Sequence, residues 1–340
     1  KWLVDIADSI RTDGAVPGII PSNGWGYEWG TGPVSSGILF EIPYRLYLAT
    51  GSDAELVAYR DAFDRHLAYI KSRANKDGLI EYGLSDWAGP FEILDKPPTP
   101  VAFTDTVLYL KCLRIAQFAA ERAEADASAY DAEITRVEKL LRATYLRTDG
   151  TCAVDEQTAV AMLICFGLYD DLAPLKVQLK HLLESNDFRH NCGMVGLPRL
   201  YEALDICGLS EYGYRVLTSR GFPSYTSWVD GDATTLWETW QPGNSKNHHM
   251  YSSFMGWLIG TMLGIRAAAP GYEKIAVEPY FFKDIDFCRG HLDTPKGRIE
   301  AEWKRDDAKI YAYIMVPEGT EAVCKGTKLR PGRNVLCFGA

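Results

Sequence analysis

The heptapeptide TTLWETW, Thr234–Trp240, sets one carboxylate, Glu238, between two indoles, Trp237 and Trp240, shortly before the stretch NSKNHHMYSSF. An exposed indole pair wastes apolar surface, and a carboxylate buried beside it must shift its pKa or find partners. The pattern therefore predicts a concave site for an amphipathic ligand such as a sugar. Cleavage of a glycosidic bond uses two carboxyl groups, one protonated to release the leaving oxygen and one to activate water or attack the ring. Glu238 is the candidate general base, since aromatic surroundings give a carboxylate the raised basicity that such a base needs. A plainer reading also fits the spacing: a helix-capping or salt-bridged Glu, with tryptophans filling the core.

Three further clusters carry the same residue types. In YGLSDWAGP, Asp86 stands beside Trp87 in a Gly/Pro loop. Asp86 either binds sugar hydroxyls or caps its loop, and Trp87 is either a stacking platform or a wedge between helices. GWGYEWGTGP puts Trp25, Tyr27, Glu28 and Trp29 in one glycine-rich loop. Aromatics of that kind stack on the apolar faces of sugar rings, or else pin their own loop. Asn247–His249 is expected to open a helix, where an imidazole near Glu238 could donate to a hydroxyl. No HExxH, Walker loop, GxGxxG or GxSxG string is present, so the expectation is no metal and no cofactor. His66, His181, His190 and His291 are isolated and read as structural or surface residues.

Helices must position these clusters. Apolar residues recur every three or four positions over roughly 1–11, 35–51, 53–74, 103–124, 127–146, 156–168, 171–185, 194–208, 210–220 and 247–265. Long connections rich in Gly, Pro and Trp alternate with short ones, which predicts one functional face above paired helices. The period suits a mainly α fold, an (α/α)6 toroid of six hairpins, with two of its twelve helices expected upstream. From about residue 271 the texture changes to KIAVEPYF, GRIEAEWKR, KIYAYIMV, EAVCKGT and NVLCFG, which alternate as strands do. The reading is a helical domain over 1–270 and a small C-terminal antiparallel β-sandwich over 271–340, docked on the helices.

Of the 340 residues, 47% are hydrophobic and 24% charged, and no apolar run is long enough to span a bilayer. A formal charge of -9 disfavours a nucleic-acid partner, which would need a basic stripe. Eight cysteines without CxxC spacing lie mostly in apolar segments and read as buried thiols, which favours a reducing, cytoplasmic setting. The first residue is Lys1, so an upstream segment is expected to be missing.

The succession WGTGPVSSGILFEIPYRLYLATGS, YGLSDWAGP, TPVAFTDTVLYLKCLRIAQFAA, QTAVAMLICFGL, GMVGLPRLYEAL, FPSYTSWVDGDATTLWETW, NHHMYSSFMGWLIGTMLGI and APGYEKIAVEPYF resembles the α-L-rhamnosidases of glycoside hydrolase family 78. The resemblance implies the (α/α)6 barrel with a C-terminal β-sandwich and inverting hydrolysis of terminal α-L-rhamnose, with Glu238 activating water. It implies sugar contacts from His248 and from the earlier aromatic and acidic loops, making Trp29, Trp87 and Asp86 binding candidates; Trp237 and Trp240, the indoles that flank Glu238, join them from the residue pattern itself. The implied partner is a rhamnoside carbohydrate, with no nucleic acid and no membrane, and a homodimer is an allowed assembly. Two departures stand out. The family's acid motif, RDERxGWxGD-like, does not occur here, and Val34–Ser36 replaces an aromatic and an aspartate found in many relatives. The acid is expected in the missing upstream part, or else is lost, and a substitute would be sought at Glu28 or Asp86; the competing readings are a noncatalytic sugar binder and a hairpin barrel acting on another sugar.

Overall fold

A computed structural model of the chain describes residues 1–90 and 97–339. Residues 91–96 of the long connection that follows Trp87 lie outside the described residues. The helices run α1 Trp2–Asp8, α2 Pro33–Ser36, α3 Ile38–Thr50, α4 Ala54–Ala58, α5 Arg60–Ser72, α6 Val101–Arg122, α7 Ser128–Tyr145, α8 Gln157–Cys165, α9 Leu172–Glu184, α10 Gly196–Ile206, α11 Ser210–Thr218, α12 Tyr225–Asp230 and α13 Ser253–Trp257. Contacts divide the chain into two units. One holds Lys1–Tyr44 and Asp53–Tyr251; the other holds Arg45–Ser52 and the chain from Ser252 onward.

In the first unit α6 with α7, α8 with α9, and α10 with α11 form consecutive hairpins, while α6 also packs on α8 and α8 on α10. Every second helix thus joins an inner row. The sequence says which ones: α8, QTAVAMLIC, is apolar nearly all round and buries eight of its nine residues, as a helix surrounded by others must. Its neighbour α7 buries only Ile134, Val137, Leu141 and Tyr145, the single stripe of an outer helix. Asp171 caps α9 by accepting from the Ala173 N–H at 3.0 Å, which lets the connection after α8 stay short.

Several boundaries differ from the periodicity. The helix expected over 53–74 breaks at Tyr59 (φ -100°, ψ 11°) into α4 and α5. α12 forms inside a connection read as irregular, started by Ser224, whose hydroxyl accepts from the Ser227 N–H at 3.1 Å. The helix expected over 247–265 begins only at Ser253, and continues past Trp257 as a π-turn, Leu258–Met262. Asn247–His249 therefore opens no helix; its backbone is engaged in the loop described below.

The second unit contains two four-stranded sheets. β1 Ile265–Ala267, β2 Lys274–Val277, β6 Glu321–Cys324 and β7 Thr327–Leu329 make one in that spatial order; β3 Phe287–Thr294, β4 Gly297–Asp306, β5 Lys309–Val316 and β8 Gly332–Gly339 make the other. The second sheet is antiparallel throughout, but β2 pairs β6 in parallel, with Ile275 opposite Ala322. The expectation of a purely antiparallel sandwich is corrected there. Ile275, Val277, Ile299, Ala301, Ile314, Val316 and Ala322 alternate inward to fill the core of this unit. All eight thiols are unpaired; Cys112, Cys152, Cys192, Cys207 and Cys324 are buried and Cys337 is exposed.

Candidate active site

The loop bearing Asp86 rests on the N-terminal ends of three inner helices. Ser85 Oγ donates to Thr99 O and lies 3.2 Å from Thr104 Oγ1, at the start of α6. The Asp86 carboxylate accepts from Thr158 Oγ1 on α8, from the Gly193 N–H at 2.9 Å, and from the Val195 and Gly196 N–H groups at 2.9 and 2.7 Å as α10 begins. Asp86 is 3% exposed. Burial raises its pKa while these four donors oppose the rise. Both oxygens are used inside the protein, so the geometry favours the loop-anchoring reading, and Asp86 is corrected as a direct sugar ligand. Glycine is required at 196 because a Cβ there would lie 1.9 Å from Thr158 Oγ1 and 2.8 Å from Asp86 Oδ2.

Trp87 follows this anchor and stays half-buried, with its carbonyl accepting from the Met194 N–H at 2.9 Å. The next residues reach the Glu238 loop: Tyr251 Oη donates to Ala88 O, and Gln241 Nε2 donates to Pro90 O at 2.6 Å. On the other side, Gly32 fits against Tyr82 O and Gly83, where a Cβ would come within 2.7 Å of both. Trp29 precedes that crossing, is 45% exposed, and packs on Trp25 with ring centroids 4.6 Å apart. The structure thus joins the Trp29, Trp87 and Glu238 loops edge to edge.

Glu238 and His248 share one folded-back loop. The Glu238 N–H donates to Ser245 O at 2.9 Å, the Ser245 N–H donates to Glu238 Oε2 at 3.1 Å, and the His248 N–H donates to Leu236 O at 2.9 Å. The Met250 N–H donates to His248 Nδ1 at 3.1 Å, which places the ring proton on Nε2 and makes that nitrogen a donor. Glu238 remains half-buried.

The indoles flanking Glu238 do not enclose it. Trp240 is 2% exposed, stacked on Trp228 at 4.4 Å and 16°, and walled by Tyr225, Tyr251 and His190 at 5.3, 4.7 and 4.3 Å. Its carbonyl accepts from Trp228 Nε1 at 3.2 Å. A side chain so enclosed presents no face to a sugar, so Trp240 is corrected from ligand platform to loop anchor. Trp237 is half-buried, 5.9 Å from Trp228, with Lys246 Nζ 5.2 Å above its ring.

Sequence reasoning passed over the residues that open α8. Gln157 accepts from the Asn191 N–H at 3.0 Å and donates to Arg189 O at 3.1 Å, next to the Thr158 bond to Asp86. Asn191 Nδ2 donates to Glu156 Oε2 at 2.6 Å. The readable signal was EQT, a polar triplet leading an otherwise apolar helix, opposite the glycine pair of GMVG.

Inner helices that start together beneath joined aromatic loops define the class: an (α/α)6 helical-hairpin protein, with its candidate site at the inner helices' N-terminal ends. The chain belongs to the family of the bacterial α-L-rhamnosidase six-hairpin glycosidase domain, which matches residues 1–262; a match to the bacterial α-L-rhamnosidase C-terminal domain follows over 264–328. An α-L-rhamnosidase of Streptomyces avermitilis is 28% identical over 338 residues, covering 95% of this chain and 32% of that protein. The structure of Streptomyces avermitilis α-L-rhamnosidase complexed with L-rhamnose superposes with a TM-score of 0.86 at 25% identity, over 100% of this chain and 35% of the other. The native Aspergillus terreus enzyme gives a TM-score of 0.90 at 22% identity, over 99% and 42%. The chain thus spans about a third of the length of the curated relatives it matches.

Proposed function

We propose that this chain forms the sugar-binding body of an inverting α-L-rhamnosidase, acting on terminal α-L-rhamnose, with Glu238 as general base. One observation carries the reading: Glu238 is tied by its own backbone and one oxygen to Ser245, in a folded-back loop that also holds His248 through its backbone N–H to Leu236 and leaves His248 Nε2 as a donor. A carboxylate fixed in this way can hold a water for attack on the anomeric carbon and take its proton as the new C–O bond forms. The glycosidic C–O bond breaks as an acid on the opposite face of the ring protonates the departing oxygen. Trp29, Trp87 and Trp237 supply stacking faces, and His248 donates to a hydroxyl. Asp86 and Trp240 act from behind, as positioning residues.

The test is hydrolysis of 4-nitrophenyl α-L-rhamnopyranoside alongside calorimetry with L-rhamnose, on the chain and on Glu238→Gln. The expected outcome is rhamnose binding that survives the substitution, with any turnover reduced by about 10²-fold or more. Turnover equal to that of the parent removes Glu238 from the mechanism. Binding without turnover in the parent makes this chain a sugar-binding body.

A further inference from the structure

Glu156 sits at the N-cap of α8, yet its side chain makes no capping bond and turns to Asn191 instead. The loop 189–196 does not depend on that contact. Gln157 already holds it at Arg189 and Asn191, Asp86 at Gly193, Val195 and Gly196, and Trp87 at Met194. The Glu156–Asn191 pair is therefore surplus to holding the loop. It is also unfavourable as a charge, because partial burial, Asp155 and Asp86 all push the Glu156 carboxyl upward, against the one bond from Asn191. A half-buried acid kept at such a position points to a site rather than to the frame.

The position is informative too. The Asn191 carbonyl lies 3.5 Å from where a Cβ on Gly89 would stand, and the Trp87 carbonyl holds Met194 three residues on, so the backbone carrying Asn191 borders the Trp87 loop. Among the described residues nothing donates to Glu156 Oε1 or to Asn191 Oδ1, and one Nδ2 hydrogen of Asn191 remains unclaimed. Two adjacent acceptors and a donor match a vicinal diol of a pyranose, whose hydroxyls both donate and accept.

We infer that Glu156 and Asn191 form a hydroxyl-binding subsite, on the loop that the Trp87 carbonyl holds, that selects which sugar the site accepts. The inference rests on the reading of the loop face as a sugar site but not on rhamnose or on Glu238. Glu156 Oε1 and Asn191 Oδ1 accept from neighbouring hydroxyls, and the free Nδ2–H donates to one of them. No bond to carbon forms or breaks there.

The experiment is calorimetry on the chain, Glu156→Gln and Asn191→Ala, with methyl α-L-rhamnoside, its monodeoxy analogues, and methyl glycosides of L-fucose, D-galactose and D-glucose. Glu156→Gln keeps the shape and an oxygen for Asn191, so it is the variant least prone to misfold. The expected result is affinity about tenfold weaker in Glu156→Gln, since a hydrogen bond to a charged group is lost. That loss should vanish for one monodeoxy analogue and persist for the others, a coupling that a merely structural role would not produce. A parent that binds another glycoside of the panel but not the rhamnoside, with the tenfold loss in Glu156→Gln and its disappearance for one monodeoxy analogue of that glycoside, refutes rhamnose and leaves the subsite standing. Parent-like affinities in both variants overturn the subsite and leave the sugar reading intact. A parent that binds nothing in the panel overturns both.

Discussion

At the scale of single residues, two tryptophans three positions apart divide the labour around Glu238. Trp237 keeps a partly open face under Lys246, whereas Trp240 is sunk among Trp228, Tyr225, Tyr251 and His190. Trp240→Ala should therefore destabilise the protein by about 3–5 kcal/mol, the usual figure for a large side chain removed from a packed interior. Urea denaturation measures it; a change below about 1 kcal/mol would mean that the loop is held elsewhere. His190 makes a second prediction. Burial lowers its pKa to about 3, against a backbone hydrogen bond to Cys192 that acts the other way. Between that value and the ordinary imidazole range the unfolded chain binds a proton that the native state refuses, so this residue costs stability as pH falls. His190→Phe removes the term, and its advantage over the parent should grow by about 2 kcal/mol between pH 7 and pH 5. Equal slopes of stability against pH for the two proteins would show that His190 titrates normally.

Secondary-structure elements explain which parts of the site were legible. Apolar stripes predicted most of the helices but not α12, and Glu238 with His248 could be read as neighbours because one short loop carries both. Asp86 could not be resolved, because its partners, Thr158 and the Gly193–Gly196 amides, are remote in sequence and meet it only when α8 and α10 pack. Trp240 misled for a related reason: an indole next to a catalytic-looking acid is indistinguishable in sequence from one that faces the core. The start at Ser253, later than periodicity indicated, follows from the ladder between 235–238 and 245–248, which claims the backbone that a helix would have used. The element-scale prediction concerns α10. Gly196→Ala forces its methyl into Thr158 and Asp86 and should cost about 1–3 kcal/mol, the range for overpacking. Amide exchange at Val195 and Gly196 should accelerate with it; unchanged protection would show that α10 begins without Asp86.

Over the whole molecule, the two units store their apolar residues differently. The inner helices bury residues on every side, so the helical unit reads as long apolar runs; the sheets bury alternate residues, so the change of texture near residue 271 is visible without any alignment. What the texture could not convey was strand order. A parallel partner for β2 in β6 brings together segments more than forty residues apart, and nothing in either segment names the other. The thiols follow the same logic: burial raises the pKa of Cys112 to about 12 and of Cys152 and Cys324 to about 11. With native protein, Cys337 should react first with a thiol reagent, and the five buried cysteines only after denaturant is added. Rapid native modification of Cys112 or Cys192 would contradict the packing.

The amino end of α10 already has its anion. Where a helix start of this kind often awaits phosphate or another solute, here the chain's own Asp86 occupies the amides, so dissolved anions find no vacancy there. The loop ahead of Trp87 is consequently preorganised: a ligand that stacks on that indole meets a surface set in place beforehand, and its association carries little penalty for immobilising the backbone beneath it.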